Sequence, residues 1–118
     1  MPGIRSRHRV IWDKRVIPLG PGENLLGRDE EASVRIDAPG VSRRHARIVL
    51  MNGQATLEDL GSKNGTCLRE RRLEAAVVLN DGDTFRVGRQ LLVYRNSPQT
   101  GSTVTEARDQ GPAGQSGS

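Results

Sequence analysis

The chain has 118 residues, of which 34% are hydrophobic and only 3% aromatic, with a net charge of +4. That length suits one domain with tails, its core built mainly from Val, Leu, Ile and Ala. No apolar run approaches the ~18 residues of a membrane span, and no apolar stretch follows the basic start, so neither a span nor a signal peptide is supported. The expectation is a soluble, cytoplasmic protein. The single cysteine, Cys67, excludes an internal disulfide and has no metal-ligand cluster to join. It reads as a small buried thiol.

Residues 1–8 are basic and interrupted by Pro2 and Gly3, and are expected to be disordered. Val10-Ile11-Trp12 and Val16-Ile17 flank Asp13-Lys14, which suggests a strand pair around a tight turn. Gly20-Pro21-Gly22 breaks the chain before a strand over Asn24 to Arg28. Ser33 to Asp37 alternates, placing Val34 and Ile36 on one face. Ala46, Ile48 and Leu50 alternate in turn, and Asn52-Gly53 then marks a hairpin because both residues tolerate positive φ. Ala55 and Leu57 face inward on the return strand. Two further runs, around Phe85 and Val87 and from Leu91 to Tyr94, are separated by Gly88-Arg89. Short strands with frequent turn signals indicate an all-β sandwich.

The segment from Thr66 to Asp81 resists that pattern. It lacks Gly and Pro, and its Leu-Arg-Glu-Arg-Arg-Leu-Glu-Ala-Ala run consists of good helix formers. Taken alone it reads as a helix of about three turns. From Asn96 onward Ser, Thr, Gly, Pro and Gln dominate, so residues 96–118 are expected to form a disordered tail.

Three clusters sit where strand-like runs give way to loops: Gly27-Arg28, Ser42-Arg43-Arg44-His45, and Gly61 to Thr66. Arg28 offers a planar fork of donors that matches phosphate oxygens in pairs. Ser42 supplies a hydroxyl, Arg43 a second cation, and Lys63 a point charge from a separate loop. Asn64 carries both a donor and an acceptor, which suits the backbone of an extended peptide. His45, taken by itself, fits a buried, hydrogen-bonded turn residue. Neither Cys67 nor Ser42 has an activating neighbour in the sequence, so catalysis is not expected.

The chain resembles the forkhead-associated (FHA) domain family over residues 9–95. The matching text is Leu-Leu-Gly-Arg at 25–28, Val-Ser-Arg-Arg-His-Ala at 41–46, Leu-Glu-Asp-Leu-Gly-Ser-Lys-Asn-Gly-Thr at 57–66, and Leu-Asn-Asp-Gly-Asp at 79–83. The resemblance implies a β-sandwich of about eleven short, mostly antiparallel strands whose loops at one end bind phosphothreonine peptides. It also replaces the helix in 66–81 with two short strands around a turn. By the same resemblance Arg28 and Ser42 are the main phosphate ligands, Arg43 and Lys63 assist, and Asn64 holds the peptide backbone. Gly27, His45, Gly65 and Thr66 are implied as structural support.

The expected function is therefore a binding module without cofactor or metal that recruits phosphothreonine-containing partners in signalling or gene regulation. The alternatives are a basic nucleic-acid-binding module, disfavoured by the scarcity of aromatic stacking platforms, and a phosphate-independent scaffold of the same fold. The chain is expected to be monomeric when unphosphorylated. Thr103 in the tail, if phosphorylated, is expected to be bound by another molecule rather than by its own domain.

Overall fold

In the computed structural model, residues 7–97 are described. Of the ends expected to be disordered, 1–8 and 96–118, residues 1–6 and 98–118, and with them Thr100, Thr103 and Thr105, lie outside the described residues, while His8 and Asn96 belong to the first and last strands rather than to the tails. Eleven strands follow in chain order: β1 (His8–Trp12), β2 (Arg15–Pro18), β3 (Gly22–Gly27), β4 (Val34–Arg35), β5 (Ala46–Met51), β6 (Gln54–Asp59), β7 (Thr66–Leu68), β8 (Arg71–Arg72), β9 (Val77–Leu79), β10 (Thr84–Val87) and β11 (Gln90–Asn96). They form a six-stranded sheet in the order β2-β1-β11-β10-β7-β8 and a five-stranded sheet in the order β4-β3-β5-β6-β9. All pairings are antiparallel except β3 with β4. The all-β sandwich read from the sequence is the architecture found.

The inward residues are those the period-two pattern selects. Val34, Ile36, Ile48 and Leu57 are fully buried on the side of the five-stranded sheet, and Val10, Phe85, Leu92 and Tyr94 close the core from the six-stranded one. The first strand begins at His8, one residue before the expected boundary. Its ring nitrogen Nδ1 lies 2.7 Å from the hydroxyl of Tyr94, giving the buried ring's polar end a partner.

Three two-residue turns have positive φ at both positions: Asp13-Lys14, Asn52-Gly53 and Arg69-Glu70. The first two were legible as turns. The third lies within the run of helix formers, and arginine and glutamate adopt this conformation only at a cost. Tertiary contacts override propensity there. Leu68 enters the core, paired across the sheet with Phe85, while the Arg69 guanidinium donates to both carboxylate oxygens of Asp83 at 3.0 Å and holds the turn. Residues 66–81 contain three short strands rather than the two expected. β7 and β8 belong to the six-stranded sheet, whereas β9 crosses to pair with β6 in the other.

Cys67 is half-buried, not buried as expected. It occupies the outward position between inward-facing Thr66 and Leu68, with Arg72 and Arg86 as cross-strand neighbours.

Candidate functional site

The three clusters converge at one end of the sandwich, and glycines let their backbones touch. A Cβ at Gly27 would lie 2.8 Å from the Ser42 carbonyl oxygen and closer still to that of Arg43. With no side chain at 27, the end of β3 lies flush against the 42–45 loop. Arg28 N–H donates to the Ser42 carbonyl (3.0 Å), Asp29 N–H to that of Arg43 (3.1 Å), and His45 N–H to that of Leu26 (3.0 Å). Arg28 and Ser42 are thereby placed by backbone bonds rather than by their own side chains.

The 61–66 loop is built around a carboxylate. Asp59 accepts the backbone N–H groups of Gly61 (2.9 Å) and Ser62 (3.0 Å), together with the hydroxyls of Ser62 (2.6 Å) and Thr66 (2.7 Å). Burial alone would raise this carboxyl, but the bonds from Ser62, Thr66 and Gly61 outweigh it and hold the group below the usual carboxylate value. Ser62 Oγ also accepts the Gly65 N–H at 2.8 Å. Neither Asp59 nor Ser62 was read as a site residue from sequence. The Asp-x-Gly-Ser spacing is the signal that could have found them, since an Asp side chain closing onto N–H groups two and three residues on is a recurrent turn device.

His45 joins the two loops. It is fully buried. Its Nδ1 accepts the Ser42 N–H at 3.0 Å, which places the ring proton on Nε2, where it is donated to the Gly65 carbonyl at 2.8 Å. A fourth element, unrecognised in the sequence, closes the assembly. The Gly88 N–H donates to the same Gly65 carbonyl at 3.1 Å, and a Cβ at Gly88 would fall 2.5 Å from the Gly40 oxygen. The second Gly-Arg pair, Gly88-Arg89, thus lies beside the site.

On this frame the polar side chains face outward. Ser42 Oγ accepts the Lys63 N–H at 3.1 Å, leaving the hydroxyl proton free for another acceptor. Arg28 is half-exposed, with Nε 3.9 Å from Asp37, and Arg43 is largely exposed, with one terminal nitrogen 4.0 Å from Asp29. Both separations exceed hydrogen-bond distance, so the two forks retain their donors. Lys63 and Asn64 are exposed as well, and Asn64 Nδ2 donates to the Gly40 carbonyl at 2.8 Å. All nine residues singled out from sequence come together here. Arg28, Ser42, Arg43, Lys63 and Asn64 form the surface, and Gly27, His45, Gly65 and Thr66 lie beneath it. The arrangement offers cationic and neutral donors from three loops, which suits a multiply charged oxyanion. Among the described residues no His, Cys, Asp or Glu cluster could hold a metal ion, and no helix is long and apolar enough to cross a membrane.

A family model for the FHA domain matches residues 24–88, more than half of the chain. The chain belongs to the FHA domain family. The transcriptional regulatory protein EmbR of Mycobacterium tuberculosis is 37% identical over 77 residues, which cover 65% of this chain and 20% of EmbR. The structure of EmbR with a low affinity phosphopeptide aligns at a TM-score of 0.75 and 30% identity, covering 80% of this chain and 26% of that one. The glycogen accumulation regulator GarA of the same species is 36% identical over 75 residues, 64% of this chain and 46% of GarA. An FHA domain solved in a study of phosphothreonine-dependent interactions aligns at a TM-score of 0.73 and 34% identity, covering 78% of this chain and 98% of its own. The FHA domain described here therefore corresponds to about a fifth of EmbR and under half of GarA.

Proposed function

We propose that this FHA domain binds phosphothreonine-containing segments of other proteins and recruits those proteins in signalling or gene regulation. The observation that carries the reading is the joint placement of Arg28, Ser42 and Lys63. Arg28 N–H is bonded to the Ser42 backbone and Lys63 N–H to the Ser42 side chain, so the backbone positions that carry two cationic side chains are fixed beside a free hydroxyl proton before any ligand arrives. A phosphoryl group brings a charge of about −1.5 to −2 and three acceptor oxygens, matching that donor set. Arg28 and Ser42 take the phosphate, Arg43 and Lys63 add charge, and the Asn64 amide, steadied by Gly40, reads the peptide backbone.

The reading is of binding without catalysis. Both nitrogens of the His45 ring are engaged by backbone groups, and the cross-strand neighbours of Cys67 are Arg72 and Arg86 rather than a base. The regulatory relatives and the phosphothreonine-dependent neighbour support the assignment of partner. The proposed setting is the cytoplasm, in keeping with a chain whose single cysteine has no internal disulfide partner. A phosphothreonine peptide-library screen with unphosphorylated peptides as control tests the proposal. Enrichment confined to phosphorylated sequences is expected, and equal capture of both libraries would overturn it.

A further inference from the structure

Period-two alternation gives the six-stranded sheet an outer face as well as an inner one. Val10, Phe85, Leu92 and Tyr94 point into the core, so their neighbours along β1, β10 and β11 point out. Strand register sets these outward residues in three rows across the sheet. Val16, Ile11 and Val93 lie side by side on β2, β1 and β11 as the middle row, which Thr84 continues onto β10. Arg9 and Arg95 face each other in the row on one side, and Leu91 faces Arg86 in the row on the other. Val16, Ile11, Val93 and Leu91 thus form one apolar stripe with arginine on both borders.

The stripe is open to solvent. Val16 and Leu91 are each exposed over more than half of their surface. Beside Leu91 lies a cleft of about 320 Å³ whose walls include Cys67, Thr84 and Arg86, a seat for an apolar anchor from a partner. No outward strand position on β2, β1, β11 or β10 is acidic, and the Asp13-Lys14 turn adds one charge of each sign. Arg95 reaches Asp81 at 3.0 Å. Arg9 bonds instead to Arg7 and to Ser97, and among the described residues neither Arg9 nor Arg86 has a carboxylate within ion-pair distance. The outer face of the five-stranded sheet differs, because Arg47 there sits 3.0 Å from Glu23 and 2.8 Å from Glu58. Its charges are satisfied internally, whereas the six-stranded face calls for acids from outside. The width of the stripe selects their carrier. Leu91 to Arg95 spans four residues along β11, about 13 Å, close to the diameter of an α-helix with its side chains, about 10–12 Å. An extended segment would leave one border uncovered, since paired strands are only about 5 Å apart.

We infer that this outer sheet face docks an amphipathic helix of a partner protein, its apolar side seated on Ile11, Val93 and Leu91 and both its borders acidic. The helix lies across the strands, away from the loops that carry Arg28 and Ser42, and needs no phosphate. NMR amide-shift mapping of the isotope-labelled chain tests this with a designed helical peptide of about 18 residues, a leucine stripe bordered by glutamates. One control peptide carries lysines in place of the glutamates, and another has a proline at its centre. The glutamate helix should shift residues of β1, β10 and β11, both controls should bind far more weakly, and Arg28→Ala should bind as wild type does. Arg86→Glu should weaken binding by about fivefold, the upper range of an exposed ion pair, and rising salt should weaken it further. Arg86→Glu combined with Leu91→Gln should abolish it while keeping Tm and phosphothreonine-peptide affinity. Shifts confined to the Arg28 and Ser42 loops and lost in Arg28→Ala would overturn the proposal, since the peptide would then be a phosphate mimic. Equal binding of either control peptide would overturn it too, as would no shift on this face. Phosphatidylglycerol vesicles, duplex DNA and the chain alone at rising concentration serve as separate titrations. A response to one of these that the double variant loses, without binding of the glutamate helix, would assign the face to a membrane, a nucleic acid or a second copy instead.

Discussion

The His45 ring donates its Nε2 proton to the Gly65 carbonyl at 2.8 Å while its Nδ1 holds the Ser42 N–H. One buried side chain therefore fixes both the loop presenting Ser42 and the loop presenting Lys63 and Asn64. Removing it leaves the Ser42 N–H without its partner and opens a void in the core.

For His45→Ala we accordingly expect a loss of stability as well as of binding. Unpaired buried groups cost about 1–3 kcal/mol each, which suggests a total of about 2–4 kcal/mol and a fall in Tm of roughly 10–20 °C for a domain of this size. Differential scanning calorimetry beside phosphopeptide titration checks this. An unchanged Tm with lost binding would make His45 a direct ligand contact.

Gly88→Ala should act on the site from outside it. Its φ is +62° and the new Cβ would meet the Gly40 oxygen at 2.5 Å, so the β10–β11 turn or the 40–42 loop must shift. A destabilisation of about 1–3 kcal/mol is expected, together with weaker phosphopeptide binding. Arg89→Ala, which leaves the turn intact, should not lower Tm comparably. Urea unfolding of the two variants separates the effects.

The Gly88 turn also marks where sequence reading ran out. Gly27-Arg28 and Gly88-Arg89 are identical dipeptides, and only the sheet order brings the second to the Gly65 carbonyl. The strands at Val34, Ala46 to Leu50 and Phe85 to Val87 were legible because alternation and burial coincide there. A turn within 66–81 was legible only through the family resemblance and not from Arg69-Glu70 themselves, because their positive φ is imposed by Leu68 packing and by the Asp83 clamp. Asp59 was overlooked because an aspartate at a strand end, two residues before a glycine, reads as a solvated turn residue until its four donors are seen.

Asp59→Asn should weaken the domain in a pH-dependent way. The Asp59 carboxyl is depressed in the folded chain relative to its ordinary 3.8, so folding favours the charged form. Its contribution is complete above 3.8 and is lost as pH falls through the lower folded value. The stability gap between wild type and Asp59→Asn, about 2–3 kcal/mol at neutral pH, should close as pH drops below that point. Asp81, also depressed through the Asn96 N–H and Arg95, is common to both proteins and cancels in the difference. A gap that stays constant down to the lowest accessible pH would show that the charge on Asp59 does not organise the loop.

Asn64→Ala should distinguish peptide from phosphate. Phosphopeptide affinity is expected to fall by roughly fivefold, the worth of about one hydrogen bond, while affinity for free phosphothreonine changes little. Equal losses for both ligands, by competition titration, would move Asn64 into the phosphate site.

The account turns on Arg28, and isothermal titration of one phosphothreonine peptide and its unphosphorylated twin into wild type, Arg28→Ala and Arg28→Lys tests it most directly. Wild type should bind only the phosphorylated peptide. Arg28→Ala should lose tenfold or more, since a charge-assisted contact contributes about 1.5–3 kcal/mol, with its Tm close to wild type because the side chain is half-exposed. Arg28→Lys should recover part of the loss, a point charge standing in for a fork. Phosphopeptide binding by Arg28→Ala equal to wild type would contradict the site.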